Sequence, residues 1–142
     1  MDSTDMKILE ILQLDGRISM KDLGKEVGLT SPAVSERVKR LEENGVITGY
    51  KAIVNPNKVN KSIKAFINIA IKAERYKRFL EFAPDCSNII ECHHITGGDC
   101  MTIKVMVKDM EELERLIDDL KRFGNTETNL ILSTPIESKI II

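Results

Sequence analysis

The tightest constraint on the fold of this chain is a short turn, Val27-Gly28-Leu29-Thr30, between two segments of helical periodicity. Gly28 readily adopts the positive φ that ends a helix, and Thr30 is a favourable N-cap for the next one. Pro32 falls in the first turn of that next helix, where its missing N–H costs nothing. The turn therefore predicts two short helices that meet at a fixed angle, which is the pattern of a helix-turn-helix.

Three helices are predicted before the apolar periodicity changes. The first covers residues 5–14, and Ser3 or Thr4 is available as its N-cap. Ser19 is expected to cap the second helix and Thr30 the third. Glycines are expected to end the three helices, namely Gly16, Gly28 and Gly45.

The apolar period moves toward two after Gly45, which is typical of a strand. Residues 47–53 are predicted to form one, and Asn55-Pro56-Asn57 is predicted to be a turn. The sequence thus divides into a helix-turn-helix domain at 1–54, a linker at 55–61 and a second domain at 62–142.

The second domain is predicted to contain four strands and two helices in the order βαββαβ. Within the strands, apolar residues alternate with polar ones, which gives the sheet one apolar face. This order predicts an α+β domain of the ferredoxin-like kind. The predicted strands are 63–71, 89–96, 100–107 and 128–136, and the predicted helices are 76–83 and 110–120.

In a ferredoxin-like domain both helices cover one face of the sheet, so the other face must meet something else. That face is predicted to be too apolar for solvent and too polar for a core. A symmetric second copy is the usual cover for such a surface, and we therefore expect a homodimer. The residues of this face are Phe66, Ala70 and Met106 among Lys64, Asn68, Thr102 and Lys104.

The third predicted helix is the candidate for contacting double-stranded DNA. Val34, Val38 and Leu41 form its buried stripe, and polar or cationic side chains occupy the opposite face. In such a helix the N-terminal residues meet base edges, whereas later cations meet phosphates. We therefore assign base contacts to Ser31, Pro32, Ser35 and Glu36, and phosphate contacts to Arg37, Lys39 and Arg40.

The same pattern also fits an ordinary solvated helix face, in which Glu36 pairs with Lys39 and Arg40. The net charge is −1, and residues 1–60 hold nine Lys or Arg against nine Asp or Glu. The net charge of the chain and of residues 1–60 therefore gives no support for nucleic-acid binding. Aromatic residues are too few for a platform that stacks single-stranded bases. On the pattern alone, a DNA-contacting helix and a solvated face both stay open.

The sequence favours a cytoplasmic protein. Its acidic start, Met1–Asp5, is unlike a signal peptide, and no apolar run approaches the roughly 18–20 residues of a membrane span. The three cysteines, Cys86, Cys92 and Cys100, include no Cys-x-x-Cys pair, which is typical of a reducing compartment.

Cys92, His93, His94 and Cys100 invite a metal or redox interpretation, because Cys92 and His94 would share one strand face. Structural zinc sites, however, use four converging ligands and commonly a closer cysteine pair than this sequence offers. Small buried thiols and hydrogen-bonded histidines are the simpler interpretation. We expect no metal and no cofactor.

Six segments stand in an order and spacing known from other proteins: 15–19, 22–24, 27–31, 34–42, 45–50 and 95–99. Together they resemble the Lrp/AsnC family, the leucine-responsive and asparagine-responsive regulators of bacteria and archaea, and the resemblance spans nearly the whole chain. It implies a winged or strand-flanked helix-turn-helix, a dimer that often assembles into an octamer, and amino-acid effectors bound between second domains. Segment 95–99 resembles the family's effector loop.

By this resemblance, Thr96, Gly97, Gly98 and Asp99 are effector-binding residues. The glycines would let backbone N–H groups approach a carboxylate, and Asp99 could accept from an α-ammonium group. Gly-Gly-Asp is also suitable for a plain hairpin turn. Many family members carry an aromatic or other bulky residue where this chain has Gly98, so the sequence departs from the family there.

Three further functions are alternatives. An architectural DNA-wrapping protein would use the same helix with low specificity. Siroheme decarboxylases resemble the family in architecture, but their substrate needs basic groups gathered in one large pocket. Here the second-domain arginines lie on or next to the predicted helices and are not gathered near the histidines, so we expect no enzyme; they are Arg75, Arg78, Arg115 and Arg122. A sensing module without DNA binding would fit the neutral charge of residues 1–60.

Overall fold

The structure, a computed structural model, describes residues 1–97 and 100–142, without the side chain of Cys100. These residues form two compact units, one of Met1–Ile53 with Ile136–Ile142 and one of Val54–Pro135. From the sequence, residues 136–142 were predicted to belong to the second domain. In the structure they belong to the first unit, where the Ile141 N–H donates to Gln13 Oε1 at 3.0 Å. Among the described residues, no helix has both the length and the apolar character needed to cross a bilayer.

The first unit consists of α1 (Ser3–Leu14), α2 (Met20–Val27) and α3 (Ser31–Glu43). Ser19 and Thr30 accept hydrogen bonds from first-turn N–H groups, so both predicted caps are confirmed. The N-cap of α1 is Asp2, where Ser3 or Thr4 was expected. Because the helices are short, their stability comes mainly from a shared apolar core. That core consists of Ile8, Leu9, Leu12, Leu23, Val34, Val38 and Leu41.

The strand predicted at residues 47–53 does not form. Instead, the N–H groups of Val46 and Ile47 both donate to the Leu41 carbonyl oxygen, and the chain continues without regular structure. A strand needs a hydrogen-bonded neighbour, and among the described residues only the four strands of the second unit pair. The prediction was wrong because apolar alternation alone cannot supply that neighbour.

The second unit begins with a short 3₁₀ helix, Pro56–Val59, which Asn55 caps at the predicted turn. Its elements are β1 (Ile63–Ile71), α4 (Tyr76–Asp85), β2 (Ile89–Ile95), β3 (Cys100–Val107), α5 (Met110–Lys121) and β4 (Gly124–Leu130). The strands pair in the antiparallel order β2-β3-β1-β4. The predicted order βαββαβ and the ferredoxin-like α+β fold are confirmed.

The last strand begins earlier than the predicted range of 128–136. Gly124 is the first residue of β4 and pairs with Ile71. A Cβ at Gly124 would lie 1.9 Å from the carbonyl oxygen of Ala70, a distance that no side chain tolerates. The glycine therefore serves the close approach of β4 to β1.

Both helices of the second unit pack on one face of its sheet. The opposite face is open in this chain: the Phe66 side chain is 41% exposed, and Ala70 is exposed as well. Between them, the Thr102 hydroxyl donates to Asn68 Oδ1 at 2.7 Å. The core on the helix side consists of Ala65, Ile67, Ile69, Ile71, Phe79, Ala83, Met101, Ile103, Val105, Val107, Leu113, Leu116, Leu120 and Phe123.

Candidate nucleic-acid interface

The turn between α2 and α3 fixes the direction in which α3 leaves. Gly28 ends α2 with a φ of 71°, and the Leu29 N–H donates to the Gly24 carbonyl oxygen at 2.8 Å. A Cβ at Gly24 would lie only 2.7 Å from the Leu29 carbonyl oxygen. Thr30 then caps α3 through the Ala33 N–H. The two helices are therefore held at this turn by backbone contacts that a larger residue would disturb.

One side of α3 is buried, and the remainder reaches solvent. Val34, Val38 and Leu41 pack into the core of the first unit, as predicted. The structure brings most of the predicted contact residues together on the accessible surface of α3. Pro32, Glu36, Lys39 and Arg40 are exposed there, and Ser31 and Ser35 are half-buried.

Arg37 is placed differently from the other predicted contacts. Its Nη1 lies 2.7 Å from a carboxylate oxygen of Asp2 and 2.7 Å from one of Asp5. These two aspartates also form the capping box of α1, each accepting from the backbone N–H of the other. The ion pairs join α3 to the start of α1, and they compete with the phosphate contact predicted for Arg37.

The electrostatics of this cluster favour its charged form. The Asp2 N–H and the Arg37 guanidinium hold the pKa of the Asp5 carboxyl below its ordinary value, although burial acts in the opposite direction. The Asp5 N–H and Arg37 do the same for the pKa of Asp2. Asp5 is the one buried charged residue in the described part of the chain. The cluster is thus an ionised, hydrogen-bonded clamp between two helices.

Lys39 and Arg40 are more loosely held. Lys39 Nζ lies 3.6 Å from Glu43 Oε1, and both side chains are largely exposed. Arg40 Nη2 lies 3.9 Å from Asp5 Oδ1, and its side chain is 57% exposed. Exposed pairs of this kind contribute little. Both cations therefore remain available to an external anion.

Cations near the start of α2 were not among the sequence-predicted contacts. Arg17 and Lys21 are exposed, whereas Lys25 pairs with Asp22 at 3.0 Å. In a helix-turn-helix the first of the two helices crosses the nucleic-acid backbone. Applied to the predicted second helix, that docking rule would have identified Arg17 and Lys21 as candidate contacts to DNA phosphates.

Tyr50 anchors the segment that follows α3. Its hydroxyl donates to Glu42 Oε1 at 2.9 Å. Burial, together with Glu42, raises the pKa of Tyr50 to about 12, so the hydroxyl keeps its proton at neutral pH. The tyrosine thus ties residues beyond Gly45 back to the third helix.

The predicted effector turn is described only in part. Thr96 and Gly97 are exposed between β2 and β3, and Gly97 has a φ of 106°. Ile95 and Cys100 pair across the base of the hairpin. The other two predicted effector residues, Gly98 and Asp99, lie outside the described residues.

The single cysteine of β2, Cys92, and its two histidines, His93 and His94, do not gather on one face of the sheet. Cys92 and His94 lie opposite Ile103 and Met101 and so share the helix side of the sheet, whereas His93 lies on the other side. His93 Nε2 is 3.3 Å from Glu91 Oε2. Across the described ranges, no three His, Cys, Asp or Glu residues are placed to hold a metal ion.

Comparison with known protein families assigns both units. Residues 1–48 match the family described as winged helix-turn-helix DNA-binding, and residues 64–141 match the Lrp/AsnC ligand binding domain. The chain belongs to the Lrp/AsnC family. The family prediction is confirmed, and the protein is a transcriptional regulator of that family with a DNA-binding unit and a ligand-binding unit.

Individual relatives agree with this assignment. The Lrp/AsnC chain is 42% identical over 134 residues to the uncharacterized HTH-type transcriptional regulator YezC of Bacillus subtilis, covering 94% of this chain and 95% of YezC. It is 34% identical over 129 residues to the regulator LrpB of the same organism, covering 91% and 87%. Both relatives are named as transcriptional regulators.

Two solved structures superpose over almost the full chain. Bacillus subtilis LrpC has a TM-score of 0.92 at 30% identity, covering 97% of this chain and 99% of LrpC. A transcriptional regulator of Neisseria meningitidis in complex with L-methionine has a TM-score of 0.94 at 25% identity, covering 100% and 96%. The two-unit architecture is therefore that of solved family members.

Proposed function

We propose that this protein controls transcription in the cytoplasm by presenting α3 of each protomer to the major groove of double-stranded DNA. The observation that carries the proposal is the exposed surface of α3, which begins at a well-capped N-terminus and continues into two weakly paired cations. Ser31, Pro32, Ser35 and Glu36 face the base edges. Lys39 and Arg40 contact phosphates.

Arg37 acts in this proposal by positioning α3. To reach a phosphate it would have to leave two carboxylates at 2.7 Å. Paired with Asp2 and Asp5, Arg37 fixes α3 against α1. Arg17 and Lys21, near the start of α2, add contacts to the phosphate backbone of the DNA. The side chains available for base contact are serines, a proline and a glutamate, so sequence selectivity is modest.

We further propose that the second unit forms a homodimer through its open sheet face, that dimers assemble further, and that an amino acid modulates assembly or DNA affinity. The complex of the similar Neisseria meningitidis regulator with L-methionine supports an amino-acid effector. Thr96, Gly97, Gly98 and Asp99 form the proposed effector site. Calorimetry against all twenty amino acids tests it, and no heat from any of them would contradict it.

DNA binding is tested separately, by mapping bound DNA across the genome with and without a panel of amino acids. A regulator gives discrete sites, and at a stated salt concentration it binds them far more tightly than random duplex. Even coverage with equal affinities would indicate an architectural DNA-wrapping protein instead.

A further inference from the structure

Three arginines converge on a groove of the second unit that is not part of the proposed DNA or effector site. Arg75 directly precedes α4, Arg78 lies one helical turn later, and Arg122 directly follows α5. The groove has a volume of about 590 Å³, and its other lining residues, within the part of the chain that the structure describes, are Phe82 and Phe123. The two helices thus bring together cations that are far apart in the sequence.

Two of the three guanidinium groups are held by specific contacts. The Arg122 guanidinium carbon lies 4.9 Å from the ring centroid of Phe82 and 4.9 Å from that of Phe123. Arg75 Nη1 donates to the Arg122 carbonyl oxygen at 2.5 Å. Stacking on aromatic rings is a favourable setting for a guanidinium and leaves its edge free to donate.

The charge of this cluster is not neutralised by the described residues. None of the three arginines has a carboxylate partner within 4.0 Å in residues 1–97 and 100–142, whereas Arg115 of α5 pairs with Glu111 at 3.2 Å. The acidic side chains gather instead in a neighbouring groove that also contacts Phe82. That groove is lined by Asp85, Glu112 and Asp119 among others.

We propose that the arginine groove binds a small oxyanion that carries two or more negative charges, such as a phosphate-bearing metabolite. A guanidinium donates two parallel hydrogen bonds to phosphate or carboxylate oxygens, and three guanidiniums around one groove match a multiply charged group. None of the described lining residues of the groove belongs to the proposed effector turn. The groove would give this regulator a second ligand-binding site, which recognises the negative charge of its ligand and not the ammonium and carboxylate groups of an amino acid.

The test is calorimetry on the full chain with inorganic phosphate, pyrophosphate and citrate at constant ionic strength, with chloride as the reference. Arg78→Ala is the informative variant, because Arg78 is exposed and its removal disturbs no described contact. We expect it to weaken oxyanion binding by about tenfold, and Arg78→Glu to weaken it further. Arg115→Ala is the matched control, since it removes one exposed arginine of the same unit outside the groove, and its binding should equal that of the parent.

Saturable binding of pyrophosphate or citrate that Arg78→Ala weakens and Arg115→Ala retains would support the proposal. No saturable heat from any of the three anions, or equal weakening in both variants, would overturn it. A further arm measures DNA affinity against salt. If Arg78→Ala makes that dependence shallower while no small anion binds, the groove contacts DNA phosphates and the small-molecule proposal is wrong. Amino-acid binding is measured independently, so the two effector proposals can fail separately.

Discussion

Gly24 lies where α2 passes closest to the turn that precedes α3. An alanine in the middle of a helix normally gains about 1 kcal/mol over glycine. Here the added Cβ would meet the Leu29 carbonyl oxygen at 2.7 Å, and a backbone atom in a hydrogen-bonded turn cannot move aside easily. Overpacking of this kind costs roughly 1–3 kcal/mol. The steric cost therefore outweighs the gain in helix propensity.

We expect Gly24→Ala to lower the free energy of unfolding and to weaken DNA binding, because α3 would be displaced. Gly16→Ala is the matched control, since its Cβ would meet nothing closer than 3.7 Å. That variant should stay within about 0.5 kcal/mol of the parent. Urea unfolding midpoints measure both. Equal stability of the two variants would contradict the close contact at Gly24.

The clamp around Asp5 makes the first unit sensitive to acid. The Asp2 N–H and Arg37 lower the pKa of Asp5 in the folded protein. Because the folded pKa lies below the unfolded one, the stabilisation is complete above about pH 5 and disappears as the pH falls through the folded value. Arg37 thus contributes to stability in a way that depends on an ionised partner on another helix.

Asp5→Asn should therefore lower the urea midpoint at pH 7 and flatten the decline of stability below about pH 4. Asp118→Asn is the control, because it removes one aspartate from an exposed pair with Lys121 and should change little. Urea midpoints of the parent and of both variants, measured at pH 7 and at pH 3, test this expectation. A decline in Asp5→Asn as steep as that of the parent would show that the clamp does not stabilise the fold.

Among the elements, α3 carries the DNA-binding proposal, and its cations should act through phosphates. Lys39→Ala or Arg40→Ala should weaken binding to all duplexes alike. Each should also make log K less dependent on log salt, by about 0.9 for every phosphate that the variant no longer neutralises. Ser35→Ala and Glu36→Ala should instead change the preference among sequences. Filter binding to specific and random duplexes at several salt concentrations measures both effects.

Lys108→Ala is the control for overall charge. Lys108 is an exposed cation of the second unit, paired with Asp109 at 3.3 Å, so its removal changes net charge as much as that of Lys39. It should leave the salt dependence as it is. An unchanged slope in Lys39→Ala and Arg40→Ala would mean that α3 does not contact the phosphates.

The elements also separate what sequence could predict from what it could not. The caps at Ser19 and Thr30 are local, since each side chain bonds an N–H three residues away, and both were predicted. The strand at residues 47–53 and the start of β4 depended on distant partners, and both predictions were wrong. The spacing of apolar residues indicates which face of a helix or strand is buried, but it does not indicate which other segment will pair with that strand.

The same distinction applies to the candidate sites. The solvent-facing residues of α3 could be predicted, because three buried positions fix the orientation of a helix. The pairing of Arg37 with two aspartates more than 30 residues away could not. Nor could the arginine groove, since Arg122 joins Arg75 only after α4 and α5 have packed on the sheet.

At the scale of the whole molecule, the open sheet face should decide the oligomeric state. Phe66 stands on that face, 41% exposed beside an exposed Ala70 and a half-buried Met106. In a symmetric dimer the interface contains two copies of each such residue, one from each protomer, and both copies become buried. Full burial of an exposed phenylalanine stabilises by roughly 1.5–3 kcal/mol. Because Phe66 is already more than half buried, a partner covers only its exposed 41%, which contributes roughly 1 kcal/mol per copy and about 2 kcal/mol per dimer.

Phe66→Asp should therefore weaken the dimer by roughly a hundredfold or more, because it removes two apolar contacts and places two carboxylates in the interface. Leu80→Asp is the matched control. Leu80 is 46% exposed and lies on α4, which covers the opposite side of the sheet. Sedimentation velocity across a concentration series should give mostly monomer for Phe66→Asp and the parent assembly for Leu80→Asp. If both variants kept the parent assembly, the protomers would have to meet through another surface.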